Sequence, residues 1–227
     1  TDADASVVDT GGLALGTVSL GTGNFTLNTN TGTVTQTGAL TTNVADITTG
    51  TGAVALTNAG NNFTSLNLST TDADASVVDT GGLALGTVNV GTGNFTLNTS
   101  GGALTQAAAL TTNVANITTG AGALTLDNAG NNLTSLALNT TSTANVTDGS
   151  GGLDLAASTV GGALTLNVAG DVTQSGALVS GTSTTFNTSA ADTTLGLAGQ
   201  DNNLAGTVTV ATNGAGKYAT VAVRNIS

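Results

Sequence analysis

The stretch TDADASVVDTGGLALGTV opens the chain at Thr1–Val18 and returns unchanged at Thr71–Val88. The likeness runs on through the following residues. GTGNFTLNT recurs at 21–29 and 91–99, TTNVA at 41–45 and 111–115, and NAGNN at 58–62 and 128–132. Aligned one period apart, the first two units agree at most positions. A fixed period of this kind is the signature of a repeat array, in which each unit buries its apolar face against its neighbours. A third, degenerate unit begins at 141. GGLDL at 151–155 falls one period after GGLAL at 81–85, and VTQSGAL at 172–178 echoes VTQTGAL at 34–40. The organisation read from this is one array over 1–227, with units 1–70, 71–140 and 141–212 and a tail 213–227 that holds both cations and the single Tyr.

Composition narrows the fold class. Thr is abundant, aromatics are 2%, and Pro, Cys, Met, Trp and His are absent. Thr and Val favour strands, and Gly, Asn and Asp favour turns. Within a unit the apolar residues alternate: Phe25 and Leu27 flank Thr26, Val54 and Leu56 flank Ala55, Leu66 and Leu68 flank Asn67. Such alternation places each pair on one face of a strand. At 39% apolar residues the chain is too hydrophobic for the disordered class. The links between runs are GTG, NTNTG and TTGTG rather than two-residue hairpin turns. The reading is therefore an all-β, right-handed parallel β-helix of about ten coils, three per repeat unit, each of about 23 residues. The expected inward set is Leu13, Leu15, Val18, Phe25, Leu27, Val54, Leu56, Leu66, Leu68, Leu83, Leu85, Phe95, Leu97, Leu153, Leu155, Leu164 and Leu166.

Charge and chemistry exclude several functions. All 13 acids are Asp, the only cations are Lys217 and Arg224, and the net charge is −11. No basic patch is available to displace counterions from nucleic acid. No run of apolar residues is long enough for a membrane helix, and four Phe with one Tyr cannot form a barrel's aromatic girdles. The chain starts flush with a repeat, as expected of a piece of a longer protein. Lyase or hydrolase chemistry needs a base of suitable pKa and cations for an anionic substrate. Without His, and with two cations near one end, an enzyme is not expected.

Four candidate sites remain. The pairs Asp2/Asp4 and Asp72/Asp74 place two carboxylates on one side of an extended strand, where they could share Ca²⁺ with Asp9 or Asp79. The calcium-roll nonapeptide is absent, and solvated turn carboxylates are the preferred reading. The pairs Asn61-Asn62, Asn131-Asn132 and Asn202-Asn203 read as turns or amide ladders stacked along a solenoid. Asn-x-Ser/Thr sequons, among them those of Asn24, Asn62, Asn94 and Asn132, only modestly exceed chance for this composition. Thr-rich faces could order water or bind ice, but the spacing of Thr along the chain is irregular.

The phrases GTVTQTGALTTNVADITTGTGAVALTNAGNNFTSL at 32–66 and GDVTQSGALVSG at 170–181 resemble the repeats of filamentous-haemagglutinin-type exoproteins, large bacterial surface adhesins. The resemblance covers nearly the whole chain. It implies a β-helix, export through an outer-membrane transporter, an extracellular or cell-surface location, and a role in adhesion, aggregation or biofilm. Partners expected on this basis are flanking repeats or like subunits joined end to end, and a surface receptor or glycan. A self-assembling filament or surface-layer subunit is the alternative, with an ice- or glycan-binding module behind it. No cofactor is expected.

Overall fold

A computed structural model describes residues 2–226. Among the described residues 25 strands form one sheet and every pairing is parallel, so each strand between the end turns stacks on one a turn earlier and one a turn later. There is no helix among the described residues. The chain is a β-solenoid of about 11 turns, ~50 Å along its axis at the spacing of parallel strands. The alternation read from the sequence is the reason. Phe25–Asn28 buries Phe25 and Leu27 and exposes Thr26 and Asn28, and its neighbours Ala5–Val8 and Leu40–Thr48 pair with it in register.

The registers correct the expected three turns per unit. One file runs Ala5, Phe25, Ala45, Leu66, Leu85, Gln106. A second runs Leu13, Val34, Val54, Ala75, Phe95, Ala115, Leu136, Leu155, Gln174. A turn is shorter than expected, since the hydrogen bond that joins Asn24 to Asp4 in the turn below spans 20 residues. Each repeat unit therefore covers three and a half turns, and equivalent residues of successive units change files. Phe25 sits in the first file and its equivalent Phe95 in the second. Leu83, the equivalent of Leu13, lies on the same strand as Leu85 of the first file and heads a file beside it through Leu104, Leu124, Ala144, Leu164, Thr184 and Val208. Each unit thus joins the next without a seam, and the local neighbours of equivalent residues stay alike: Phe25 lies between two alanines, and so does Phe95.

One apolar core fills the interior. Of the expected inward residues, all but two are buried. Leu13 and Val18, in the first turn, are half-buried and pack against the core, whereas their equivalents Leu83 and Val88 are covered by turns on both sides and are buried. The tail does not leave the fold. Tyr218–Asn225 forms a strand that pairs with Thr193–Leu204.

Threonine and glycine build the corners. Thr29 Oγ1 donates to the carbonyl of Gly32 at 2.6 Å, Thr99 to that of Gly102 at 2.6 Å, and Thr119 to that of Gly122 at 2.7 Å. These hydroxyls are turned inward and supply corner carbonyls with a donor; that of Gly122 also accepts from Thr140 Oγ1 at 3.0 Å. Glycines stack at the same corners because there is no room for a side chain. A Cβ on Gly32 would lie 1.6 Å from the carbonyl oxygen of Gly11, and one on Gly102 1.7 Å from that of Gly81.

Candidate functional site

The paired asparagines divide into two roles. Asn61, Asn131 and Asn202 are fully buried, while Asn62, Asn132 and Asn203 are exposed. Of the two readings open in the sequence, the ladder does not form, because equivalents lie three and a half turns apart, whereas the turn does: Asn61 N–H donates to the carbonyl of Asn58 and Asn131 N–H to that of Asn128, both at 3.1 Å. Each buried Asn pairs with a glutamine. Asn61 Oδ1 accepts from Gln36 Nε2 at 2.7 Å and from the backbone N–H of Leu40 at 2.9 Å. Asn61 Nδ2 donates to Gln36 Oε1 at 3.0 Å and to the carbonyls of Leu56 and Val78 at 3.0 and 3.1 Å. The set recurs as Gln106 with Asn131, joined to Leu110 N–H and the carbonyls of Leu126 and Thr147. In the third unit Gln174 pairs with Asn202, which accepts from Leu178 N–H and donates to Leu197 and Arg224 carbonyls. Each clamp ties three turns together where strand pairing alone leaves backbone groups without partners. Stacked asparagines do occur elsewhere: Asn187 Nδ2 donates to Asn167 Oδ1 at 2.8 Å, and Asn167 Nδ2 to Thr147 Oγ1 at 3.2 Å.

The Asp-x-Asp pairs do similar work outside. Asp4 Oδ1 accepts from Asn24 N–H at 2.8 Å, Asp72 Oδ1 from Thr92 N–H at 2.8 Å and Asp74 Oδ1 from Asn94 N–H at 2.8 Å, while Asp2 reaches Thr22 N–H at 3.4 Å. Each carboxylate accepts an amide of the next turn, 20 residues on. The hydrogen bonds from Thr92 hold the Asp72 carboxyl below the usual range. No group of three or more potential metal ligands forms among the described residues.

Asp9 and its equivalents behave differently from one another. Asp9 is partly exposed and accepts from Gly11 N–H at 3.2 Å. Asp79 is fully buried, with Oδ1 accepting from Phe63 N–H at 2.8 Å and Oδ2 from Gly81 N–H at 2.9 Å. Burial pushes its carboxyl up, partly offset by these amides. Asp148 takes the same place in the third unit, and its Oδ1 accepts from Leu133 N–H at 3.1 Å. One extra residue follows it: Asp148-Gly-Ser-Gly-Gly-Leu153 stands where Asp79-Thr-Gly-Gly-Leu83 stood. The Ser150 amide still favours the charged form, but Asp148 Oδ2 makes no hydrogen bond of ordinary geometry. Burial drives this acid up to about 7.

Asp148 also lines a groove of about 280 Å³. Its other walls are Ala129, Thr147, Gly149, Asn167, Val168, Asn187, Thr188, Ser189 and Asn213, which belong to five successive turns. A second, shallower hollow of about 250 Å³ lies over Asp72, Thr92, Thr111, Asn113 and Asn132. Neither is lined by Lys or Arg. Lys217 and Arg224 pair instead with Asp192 at 3.5 Å and Asp201 at 2.7 Å on the surface.

The outward threonines are more regular in space than along the chain. Asn145, Thr165, Thr185 and Thr209 follow one another in register, one per turn. The apparent irregularity arises because the residue offset between turns varies while the strand spacing does not.

Family comparison matches one model three times, over residues 2–70, 72–141 and 141–211. The chain belongs to the family described as repeats of unknown function, DUF5649. No curated protein and no solved structure matches it. Each DUF5649 match carries one Gln–Asn clamp, which makes that clamp the constant element of the three units. The signal for it was present in the sequence. Gln36, Gln106 and Gln174 each end a Val/Leu-Thr-Gln triplet at the same point of a unit, and the chain has only one other glutamine, Gln200.

Proposed function

We propose that the chain is a stalk or fibre segment of a large secreted bacterial surface adhesin, serving attachment, aggregation or biofilm formation. The observation that carries this reading is the continuity of the sheet. Files of paired residues pass from one unit to the next with no break at 70 or 140, so the units form one stiff rod rather than beads on a string. The resemblance of the GTVTQTGAL and GDVTQSGAL phrases to exoprotein repeats supplies the cellular setting: export through an outer-membrane transporter and display at the surface. The role is mechanical, without catalysis. Weak contacts repeated along such a rod sum through effective concentration. The experiment is to express the full-length protein on a bacterial surface and delete the repeat units one by one. Adhesion or cell–cell aggregation falling with the number of units supports the stalk. Adhesion that is unaffected by their complete removal refutes it.

End-to-end assembly is a second reading with its own support. The large apolar residues most exposed include Val8, Val210, Val221 and Ile226, all in the first or last turns. A strand edge with apolar side chains takes up a further strand readily. The further turns come either from flanking repeats or from like subunits. Fibres with a repeat equal to one chain, seen by electron microscopy of the isolated segment, would favour the subunit form. A monodisperse monomer at high concentration would favour flanking repeats.

A further inference from the structure

Asn213-Gly214 is the one Asn-Gly step in the chain, and every other asparagine precedes a residue with a side chain. The step lies at the corner between the strands Val208–Thr212 and Tyr218–Asn225. The Gly216 N–H donates to the Asn213 carbonyl at 3.1 Å, which makes 213–216 a β-turn with Gly214 in its second position at a φ of 64°. Glycine enters that left-handed geometry without strain. In such a turn the fourth N–H is the one engaged, so the Gly214 nitrogen stands outside the turn's own hydrogen bond. Space around Gly214 is open, since a Cβ there would meet nothing within 4 Å.

Asn213 and Gly214 are both exposed. The exposure belongs to the corner and not to the end of the rod. Ser189 sits below Asn213, one step past the Thr188–Thr212 pair, and is exposed although a turn covers it. Asn58 and Asn128, each followed by the small residue alanine, make a useful contrast. Their Oδ1 atoms accept from the N–H of Gly60 and Gly130 at 2.9 and 2.8 Å, which holds the side chains in place. No such bond holds the Asn213 side chain among the described residues.

We propose that Asn213 is a self-modification site, where the main chain rearranges with water to isoaspartate. The Gly214 nitrogen gives its proton to water and attacks Cγ of Asn213. The N–Cγ bond forms, the Cγ–Nδ2 bond breaks, and the amide nitrogen leaves as ammonia after taking a proton from water. A five-membered succinimide remains, and water opens it at either carbonyl. Opening at Cγ leaves aspartate. Opening at the α-carbonyl leaves isoaspartate, with the main chain running through the former side chain. Water is consumed, ammonia is released, and nothing is oxidised or reduced. Glycine permits the attack because no side chain crowds the nitrogen and the backbone is free to close the ring.

The product alters the corner. Isoaspartate adds a carbon to the main chain and a negative charge to a protein that already carries −11. Asn213 N–H donates to the Thr188 carbonyl and Lys217 N–H to the Ala190 carbonyl, both at 2.8 Å, and these bonds tie the corner to the turn below. A longer main chain between them loosens the corner and leaves the strands beneath it as they were.

The test ages the whole chain in mildly alkaline buffer beside the free peptide Thr-Asn-Gly-Ala-Gly. Peptide mapping by mass spectrometry and labelling by isoaspartyl methyltransferase read the product. Conversion should occur at Asn213 alone, within about tenfold of the peptide's rate, with isoaspartate exceeding aspartate and oxygen taken up from labelled water. Gly214→Ala should slow it at least tenfold. Asn213→Gln, whose longer side chain must close a larger ring, should stop it on the same timescale with circular dichroism unchanged. In converted protein the amides of Gly216 and Lys217 should exchange at least tenfold faster, while those of Leu166 and Phe186 keep their protection. The proposal is overturned if the folded chain converts more than about a hundredfold slower than the peptide, if Asn58 or Asn128 converts first, or if Gly214→Ala converts undiminished. Unchanged exchange at Gly216 and Lys217 after full conversion overturns the loosening of the corner.

Discussion

Replacing Asn131 by Leu tests the clamp most severely. The side chain is 0% exposed and is held by hydrogen bonds to Leu110 N–H at 2.8 Å, to the carbonyls of Leu126 and Thr147 at 3.1 and 2.9 Å, and to Gln106. Leucine is of similar size and adds apolar contact, which returns about 1 kcal/mol or somewhat more. Against that, one backbone donor, two backbone carbonyls and the Nε2 of Gln106 lose the bond to Asn131 inside the protein, while Gln106 Oε1 keeps the Asn128 N–H. Each orphaned group costs about 1–3 kcal/mol. The net expectation is a loss of at least about 3 kcal/mol, at or above the top of the usual range of single substitutions. Repeat arrays unfold in parts, so the assay is native-state hydrogen exchange rather than a single melting curve. The Leu110 amide should lose protection by several orders of magnitude, and Leu133 and Leu155, further from the lost side chain, by less. Asn131→Asp should fare as badly, because a carboxylate cannot donate to Leu126 and Thr147. If Asn131→Leu leaves Leu110 protected and costs under about 1 kcal/mol, strand stacking alone holds the corner and the clamp is incidental.

Other perturbations separate the inner and outer faces and the corners. Leu27→Asp places an unpaired charge in the core beside Val7 and Ile47 and should cost more than about 3 kcal/mol, whereas Thr26→Asp, one residue away on the outside, should be nearly silent by urea denaturation. Gly102→Val should prevent close stacking on Gly81 and lower the thermal midpoint sharply, while Gly16→Ala, which meets nothing within 4 Å, should not. Asp148 gives a pH dependence of definite sign. Its folded-state acid is raised to about 7, so between the ordinary carboxyl range and pH 7 the folded form binds more protons than the unfolded one, and stability falls as pH rises through that window. Asp148→Asn should flatten this slope in denaturation curves taken from about pH 4 to about pH 8, and an undiminished slope would assign it to another group.

The sequence carried the solenoid in the spacing of pairs such as Phe25/Leu27 and Leu66/Leu68, because a period-two pattern with a half-polar face leaves few ways to bury the apolar side. It did not carry the count of turns per unit. A unit of this length divides readily by three, and nothing in one unit reveals that its end meets the next on the other file. That fact depends on the circumference of a turn, which is set by corners such as Thr29–Gly32 rather than by the strands. The buried Asn of each pair was visible as a repeated feature, but its partner Gln36 is 25 residues away in sequence, beyond any local pattern. Asp148 was hidden for another reason. It looks like Asp9 and Asp79 on paper, and nothing in its local sequence shows that one of its oxygens is buried without a hydrogen bond of ordinary geometry.

The half-integral turn count has a consequence for display. A side chain on the outside of one unit, such as Thr26, has its counterpart Thr96 on the other file of the rod. A long run of these units therefore presents any one exposed patch as two antiphase rows, repeating along the axis every ~17 Å with alternating direction and every ~34 Å in the same direction at ordinary strand spacing. Such a rod is two-faced by construction. It can lie between two surfaces and grip both with the same residues, so that a duplication of a single unit in the gene adds a contact on the far side before it adds one on the near side.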